Sequence, residues 1–221
     1  MIFAVYKPKG ITSNALLNKL RRAAGTKKIG HAGTLDPLAE GVLVVGVGRD
    51  ATKRLPEEVA KEKEYIATIR LGMTSATDDE EGEKTLGVPV TTWRPGRHVD
   101  ASEVRDVVTS FVGNIQQTPP LYSAVKVQGK EAYIYARAGR RVDIKPRSVI
   151  IKEIEVMEYE WPFLKLRAVT GPGVYIRSLA RDIGEELGVG GYLAGLVRTR
   201  VGQWNIERTV SLDEALRKVV K

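Results

Sequence analysis

Apolar residues recur along this chain with two periods. β-Branched and aromatic residues cluster over 2–6, 42–47, 64–71, 122–127, 149–159 and 164–170, which predicts strands. In the third of these, Tyr65, Ala67, Ile69 and Leu71 fall on one face of a pleated strand. Helical spacing takes over elsewhere. Residues 12–24 predict a helix with Thr12 or Ser13 as cap and Gly25 just past its end, and 101–112 another after Asp100. Ile176, Leu179, Ala180, Ile183 and Leu187 repeat with the same period and stop at Gly188, and Ser211-Leu212-Asp213-Glu214 opens a last helix with a capping-box pattern. Helices and strands mix without a regular βαβ rhythm, so the expected class is α+β.

Composition narrows the field without choosing a function. With 43% hydrophobic residues over 221 positions, the chain can bury a substantial core, as one large domain or a catalytic domain with a small lobe. Cysteine is absent, which excludes disulfides, thiolate nucleophiles and Cys-ligated zinc. No apolar run is long enough to span a bilayer and residues 1–8 lack a signal-peptide pattern, so a cytoplasmic protein without membrane contact is expected. The acids at 78–83 are contiguous and lack the alternating spacing of a calcium loop, which predicts a solvated turn. With two histidines besides, no metal is expected. The segment 87–97, punctuated by proline and glycine, reads as a loop.

The charge distribution changes the picture more than the net +8 does. Residues 1–55 carry ten Lys or Arg against three acids and 101–150 eight against four, whereas 56–100 carry six against ten. The second basic region includes Arg137, Arg140, Arg141, Lys145 and Arg147. Such a pattern suits a polyanion, with counterion release supplying affinity, though a merely soluble basic surface would look the same.

The candidate chemistry lies in Gly30-His31-Ala32-Gly33-Thr34-Leu35-Asp36-Pro37-Leu38-Ala39-Glu40-Gly41-Val42-Leu43, a glycine-punctuated loop that holds Asp36 and runs into an apolar strand. Asp followed by Pro is also how a helix begins, and for an arbitrary pair that capping role is the commoner one.

This segment resembles the GHxGTLDPxAxGVL signature of the TruB family of pseudouridine synthases, and the resemblance continues in order along the chain. Lys7-Pro8-Lys9-Gly10-Ile11-Thr12-Ser13 is similar to KPxGxTS, Gly48 to Lys53 to GxATK, and Lys63-Glu64-Tyr65 with Arg70-Leu71-Gly72 to KxY…RLG. Pro119 to Lys126, with Gly129, Tyr133 and 136–139, resembles PPxYSAxKxxGxxxYxxARxG, and 175–184 resembles YIRSLARDIG. There are departures. Val174 stands where SGTYIR has a threonine, Leu196-Val197-Arg198-Thr199 replaces LRRT, and the chain ends soon after Leu216, where many relatives continue into a PUA domain.

The resemblance implies the pseudouridine synthase fold, a mixed and largely antiparallel sheet with flanking helices and a central RNA-binding cleft, in a single catalytic domain over 1–221 without a PUA domain. It implies a tRNA partner, bound at the T-arm stem-loop, and isomerisation of the uridine at position 55. It assigns Asp36 as the catalytic acid, Arg177 as its cation, and Tyr65 as the residue that stacks on the flipped base. A buried structural tyrosine is a serious alternative at that position, and a surface role is the commoner one for such an arginine. His31 is expected to touch the RNA, and Lys7, Lys53, Tyr175 and Leu196 to line the base pocket or support the loop. For Leu196 an ordinary core role fits nearly as well. The reaction gains no group and oxidises nothing, so no cofactor is expected, and a monomer without an obligate protein partner suffices. The residues leave open whether Asp36 adds to C6, attacks C1′ or removes a ribose proton. Two other readings remain: an RNA-binding protein with little catalysis, and a guide-dependent relative acting on ribosomal or other RNA.

Overall fold

The computed structural model describes residues 1–86, 97–140 and 142–220. In chain order its elements are β1 (Ile2–Lys7), α1 (Ser13–Ala23), β2 (Ile29–His31), β3 (Ala39–Val47), α2 (Arg49–Val59), β4 (Lys63–Leu71), β5 (Met73–Ser75) and β6 (Lys84–Leu86). There follow α3 (Ala101–Ser110), β7 (Gly113–Gln117), β8 (Lys126–Val127), β9 (Lys130–Glu131), α4 (Ala132–Arg137), β10 (Arg147–Glu160) and β11 (Phe163–Thr170). The last elements are α5 (Ile176–Glu186), β12 (Gly191–Val201), β13 (Trp204–Asn205), β14 (Thr209–Val210) and α6 (Leu212–Val219). The class is α+β with a mixed sheet, and the chain divides into two compact units.

The first unit comprises residues 1–66, 169–172 and 196–221. Its strands run in the order β14-β1-β3-β12, with β1 antiparallel to β3 and both β1/β14 and β3/β12 parallel. Helix α1 forms where the period predicts it: the Thr12 hydroxyl accepts from the Ala15 N–H, and Leu16, Leu17 and Leu20 pack on Phe3, Val5, Leu43 and Val45. Helix α6 carries the capping box of Ser211 and Glu214 and adds Ala215 and Val219 to the same core. Gly41 is obligatory, because its φ is +106° and a Cβ there would stand 2.3 Å from the Arg198 carbonyl oxygen on β12. Backbone therefore meets backbone where β3 leaves the Asp36 loop.

The second unit comprises residues 67–168 and 173–195. Its sheet runs β12-β4-β11-β10-β7, and β7 pairs antiparallel with β10 from Arg147↔Gln117 to Ile151↔Gly113. Buried Val104 and Val108 lie on α3, whose cap Asp100 accepts from the N–H groups of Ser102 and Glu103. Along α5, Ile176, Leu179, Ala180 and Ile183 are buried as their spacing predicts. A Cβ on Gly184 would lie 2.1 Å from the Gly191 nitrogen, so glycine lets α5 touch the start of β12.

Several expectations change. Of 122–127 only Lys126–Val127 is strand; the rest is irregular chain around the Arg177 side chain. Asp36-Pro37 does not start a helix but makes a β-turn, in which the Ala39 N–H donates to the Asp36 carbonyl at 3.1 Å. Helix α2 tolerates Pro56 in its interior, and β12 lacks clean alternation because its two faces are both largely covered. Arg141 and the expected loop except Arg97 lie outside the described residues.

Candidate active site

In the first unit, the loop that carries Asp36 is tied down at nearly every residue. The Ser13 hydroxyl, at the start of α1, both donates to the Leu35 carbonyl and accepts from the Leu35 N–H, each at 2.8 Å. The Gly10 N–H donates to the Pro37 carbonyl at 2.8 Å, and the Ala32 N–H to the Val44 carbonyl at 2.9 Å. Lys7 is fully buried, and its Nζ donates to the carbonyls of Pro8 (2.9 Å) and Ile11 (2.7 Å), which braces the turn holding Gly10. The KPxGxTS and GTLDP segments thus form one hydrogen-bonded assembly.

Around it stand Tyr65, Arg198, Lys63 and His31. Tyr65 is buried on β4, and its hydroxyl shares a hydrogen bond with the Arg198 guanidinium. Asp36 adds its own attraction to the same arginine, whose pKa burial lowers on balance. Lys63 donates to the carbonyls of Val59 and Lys61, both at 2.8 Å, and burial, then the charge of Arg198, brings its pKa down to about 8. His31 is pushed down by burial first and then by Arg198 and Arg21, which favours the neutral ring at pH 7. Its Nδ1 is buried without a hydrogen-bond partner among the described residues. Leu196 packs against the core at the Ala39 register, the ordinary role, and Lys53 is exposed on α2.

In the second unit Arg177, 5% exposed, opens α5. Its guanidinium donates to the carbonyls of Thr77 (3.2 Å) and Tyr122 (2.9 Å) and lies 3.6 Å from the Asp79 carboxylate. Asp79 is 3% exposed and also accepts from the Glu81 N–H at 3.0 Å. Its neighbour Asp78, at φ +59°, pairs with Arg181 at 2.9 Å, and Arg181 bonds Asp182 as well. Burial pushes the Asp78 carboxyl up, while Arg181 and then Arg177 pull it down. The expected solvated turn is therefore corrected at its first two acids, which are anchored to α5 by ion pairs. Tyr175 is half-buried, and its N–H and C=O both bond the Gln117 amide, at 2.8 and 3.2 Å.

A family model described as the N-terminal domain of TruB family pseudouridylate synthases matches residues 21–176, and one described as the tRNA pseudouridylate synthase B C-terminal domain matches 177–221. The chain belongs to the TruB family. This TruB-family chain is 46% identical over 221 residues to tRNA pseudouridine synthase B of Thermobifida fusca, covering 96% of this chain and 73% of that one. It is 45% identical over 214 residues to the protein of that name from Parabacteroides distasonis, covering 94% and 88%. Among solved structures, a chain of a Cbf5-Nop10-Gar1 complex superposes with TM-score 0.71 at 29% identity, and one of an H/ACA RNP bound to a substrate RNA containing 2′-deoxyuridine with 0.70 at 26%. These matches cover 100% and 98% of this chain but only 59% and 52% of theirs, and they carry the pseudouridine synthase fold.

Sequence reasoning missed Asp79, Arg198, Lys63 and Gln117. A signal existed for Arg198, a charged residue directly after the apolar run 192–197, since such a residue is buried only with partners. Nothing comparable marked Asp79 among its neighbouring acids. Among the described residues, no three His, Asp or Glu side chains stand together as a metal site, and no helix is long and apolar enough to cross a membrane.

Proposed function

We infer that this chain is a tRNA pseudouridine synthase that converts the T-loop uridine at position 55 to pseudouridine, acting as one catalytic domain and without a cofactor. The observation that carries this reading is the clamped loop: the residues around Asp36 are held at Leu35 by Ser13, at Pro37 by Gly10 and at Gly33 by Arg198, with Tyr65 on the same arginine. Relatives 44–46% identical bear the name tRNA pseudouridine synthase B, which favours tRNA over guide-directed RNA.

The isomerisation breaks the bond from C1′ to N1, turns the uracil and joins C1′ to C5. A proton leaves C5 and one arrives at N1, so atoms and electrons balance within the nucleotide. The target base is buried in folded tRNA and must be flipped out, at a cost of a few kcal/mol, roughly, offset by stacking and pocket contacts. Tyr65 supplies the stacking face. Asp36, with a reference pKa near ~3.9, is ionised at neutral pH and needs aiming more than activation. Arg177 is the cation that the family resemblance assigns to the site, and its guanidinium suits a carboxylate partner. His31 and Tyr175 hold the everted nucleotide, Lys7 and Leu196 support the loop from beneath, and exposed Lys53 meets the RNA backbone.

The test is digestion and chromatographic nucleoside analysis of an unmodified tRNA transcript incubated with wild type or Asp36→Asn. Pseudouridine has the mass of uridine, so retention or derivatisation reports it. Product at position 55 from wild type alone is expected. Tight RNA binding by an inactive wild type would replace this reading by that of a binding protein.

A further inference from the structure

Among the described residues Arg198 has the bulkiest of the completely buried side chains, at 1% exposure, yet β3 and the Asp36 loop offer it mostly neutral acceptors. Its Nε donates to the Val42 carbonyl at 2.8 Å, Nη2 to the Gly33 carbonyl at 3.1 Å, and Nη1 to the Thr34 carbonyl at 3.4 Å. Gly33 and Thr34 precede Asp36 and Val42 follows it, so one planar group spans both ends of the segment that carries the acid. The same group hydrogen-bonds Tyr65 and is attracted by Asp36. Gly33, whose carbonyl takes Nη2, has φ +95°, a backbone conformation that favours glycine.

A guanidinium is rigid, with five donors in fixed directions, so three carbonyls on it fix angles as well as distances. An ammonium would keep the charge but lose that fork. We propose that Arg198 is the positioning residue of the site, which sets the Asp36 loop and the Tyr65 hydroxyl in one fixed mutual geometry without touching the RNA. The proposal rests on the reading of the chain as a pseudouridine synthase.

Arg198→Lys and Arg198→Gln test it, compared with wild type on an unmodified tRNA transcript by three measurements: thermal midpoint, RNA affinity by filter binding, and single-turnover rate. The expected result is two folded variants with RNA affinity within about threefold of wild type. Their single-turnover rates should fall about 100-fold, the scale of a small misplacement of reacting groups. That split separates positioning from a merely structural role, which would lower the midpoint and leave the rate of the folded fraction intact. A folded Arg198→Lys with a rate within about threefold of wild type would overturn the proposal. Failure of both variants to fold would also overturn it, making Arg198 a residue of the fold alone. An inactive wild type on the same transcript would instead remove the functional reading beneath it.

Discussion

The two buried arginines among the described residues are held in different ways. In the first unit Arg198 directs Nε and both Nη groups to the carbonyls of Val42, Gly33 and Thr34, backbone dipoles that cannot rotate away, beside the Tyr65 hydroxyl and the charge of Asp36. In the second, Arg177 has a carboxylate, Asp79, at 3.6 Å beside two carbonyls. Carbonyl partners convert a charge into a ruler between chain segments, whereas a buried carboxylate compensates the charge itself. The cost of removing each side chain should differ accordingly, because a broken buried ion pair leaves an uncompensated charge behind.

The largest effect should come from Arg177→Met, which strands Asp79. We expect a loss of about 3–5 kcal/mol in urea unfolding together with loss of pseudouridine formation, and a smaller change would break the contrast between the two arginines. Asp79→Asn is the sharper variant, since the amide still accepts from the Glu81 N–H while Arg177 keeps its two carbonyls. It should cost about 1–3 kcal/mol by the same measurement. Gln117→Leu removes both hydrogen bonds to the Tyr175 backbone and should cost about 1–2 kcal/mol; a larger loss of RNA affinity than of stability would mark Tyr175 as a binding residue.

The smallest effect is a pH dependence in the first unit. Lys63 has a pKa of about 8, below the ordinary value of 10.5, because burial and Arg198 disfavour its charged form. The unfolded chain therefore binds more protons between about pH 8 and 10.5, and this residue's contribution to stability rises with pH across that window. Urea midpoints measured from pH 7.5 to 10 should show the rise in wild type relative to Lys63→Met. A flat difference would mean that the ammonium is better compensated than its two carbonyl partners suggest.

Much of the first unit was legible beforehand. The caps at Thr12 and Ser211, the leucine period of α1 and the clustered motif around Asp36 are local signals, each read within a few residues. The ends of elements were nearly right for the same reason. What failed was non-local. β12 shows no clean alternation because neighbours cover most of both its faces, and the acids at 78–79 look like any solvated run until Arg177 and Arg181 from α5 are brought against them. Arg198 showed in the sequence as a charge directly after an apolar run, but its partners did not, since they lie on distant segments.

From sequence alone came the family, the class of chemistry and the candidacy of Asp36, because a fourteen-residue pattern survives without coordinates. Tertiary structure alone decided which charges are compensated and by what, since partners such as Gly33 and Arg198 stand 165 residues apart. Burial energies depend on that company, and a residue's place along the chain does not reveal it.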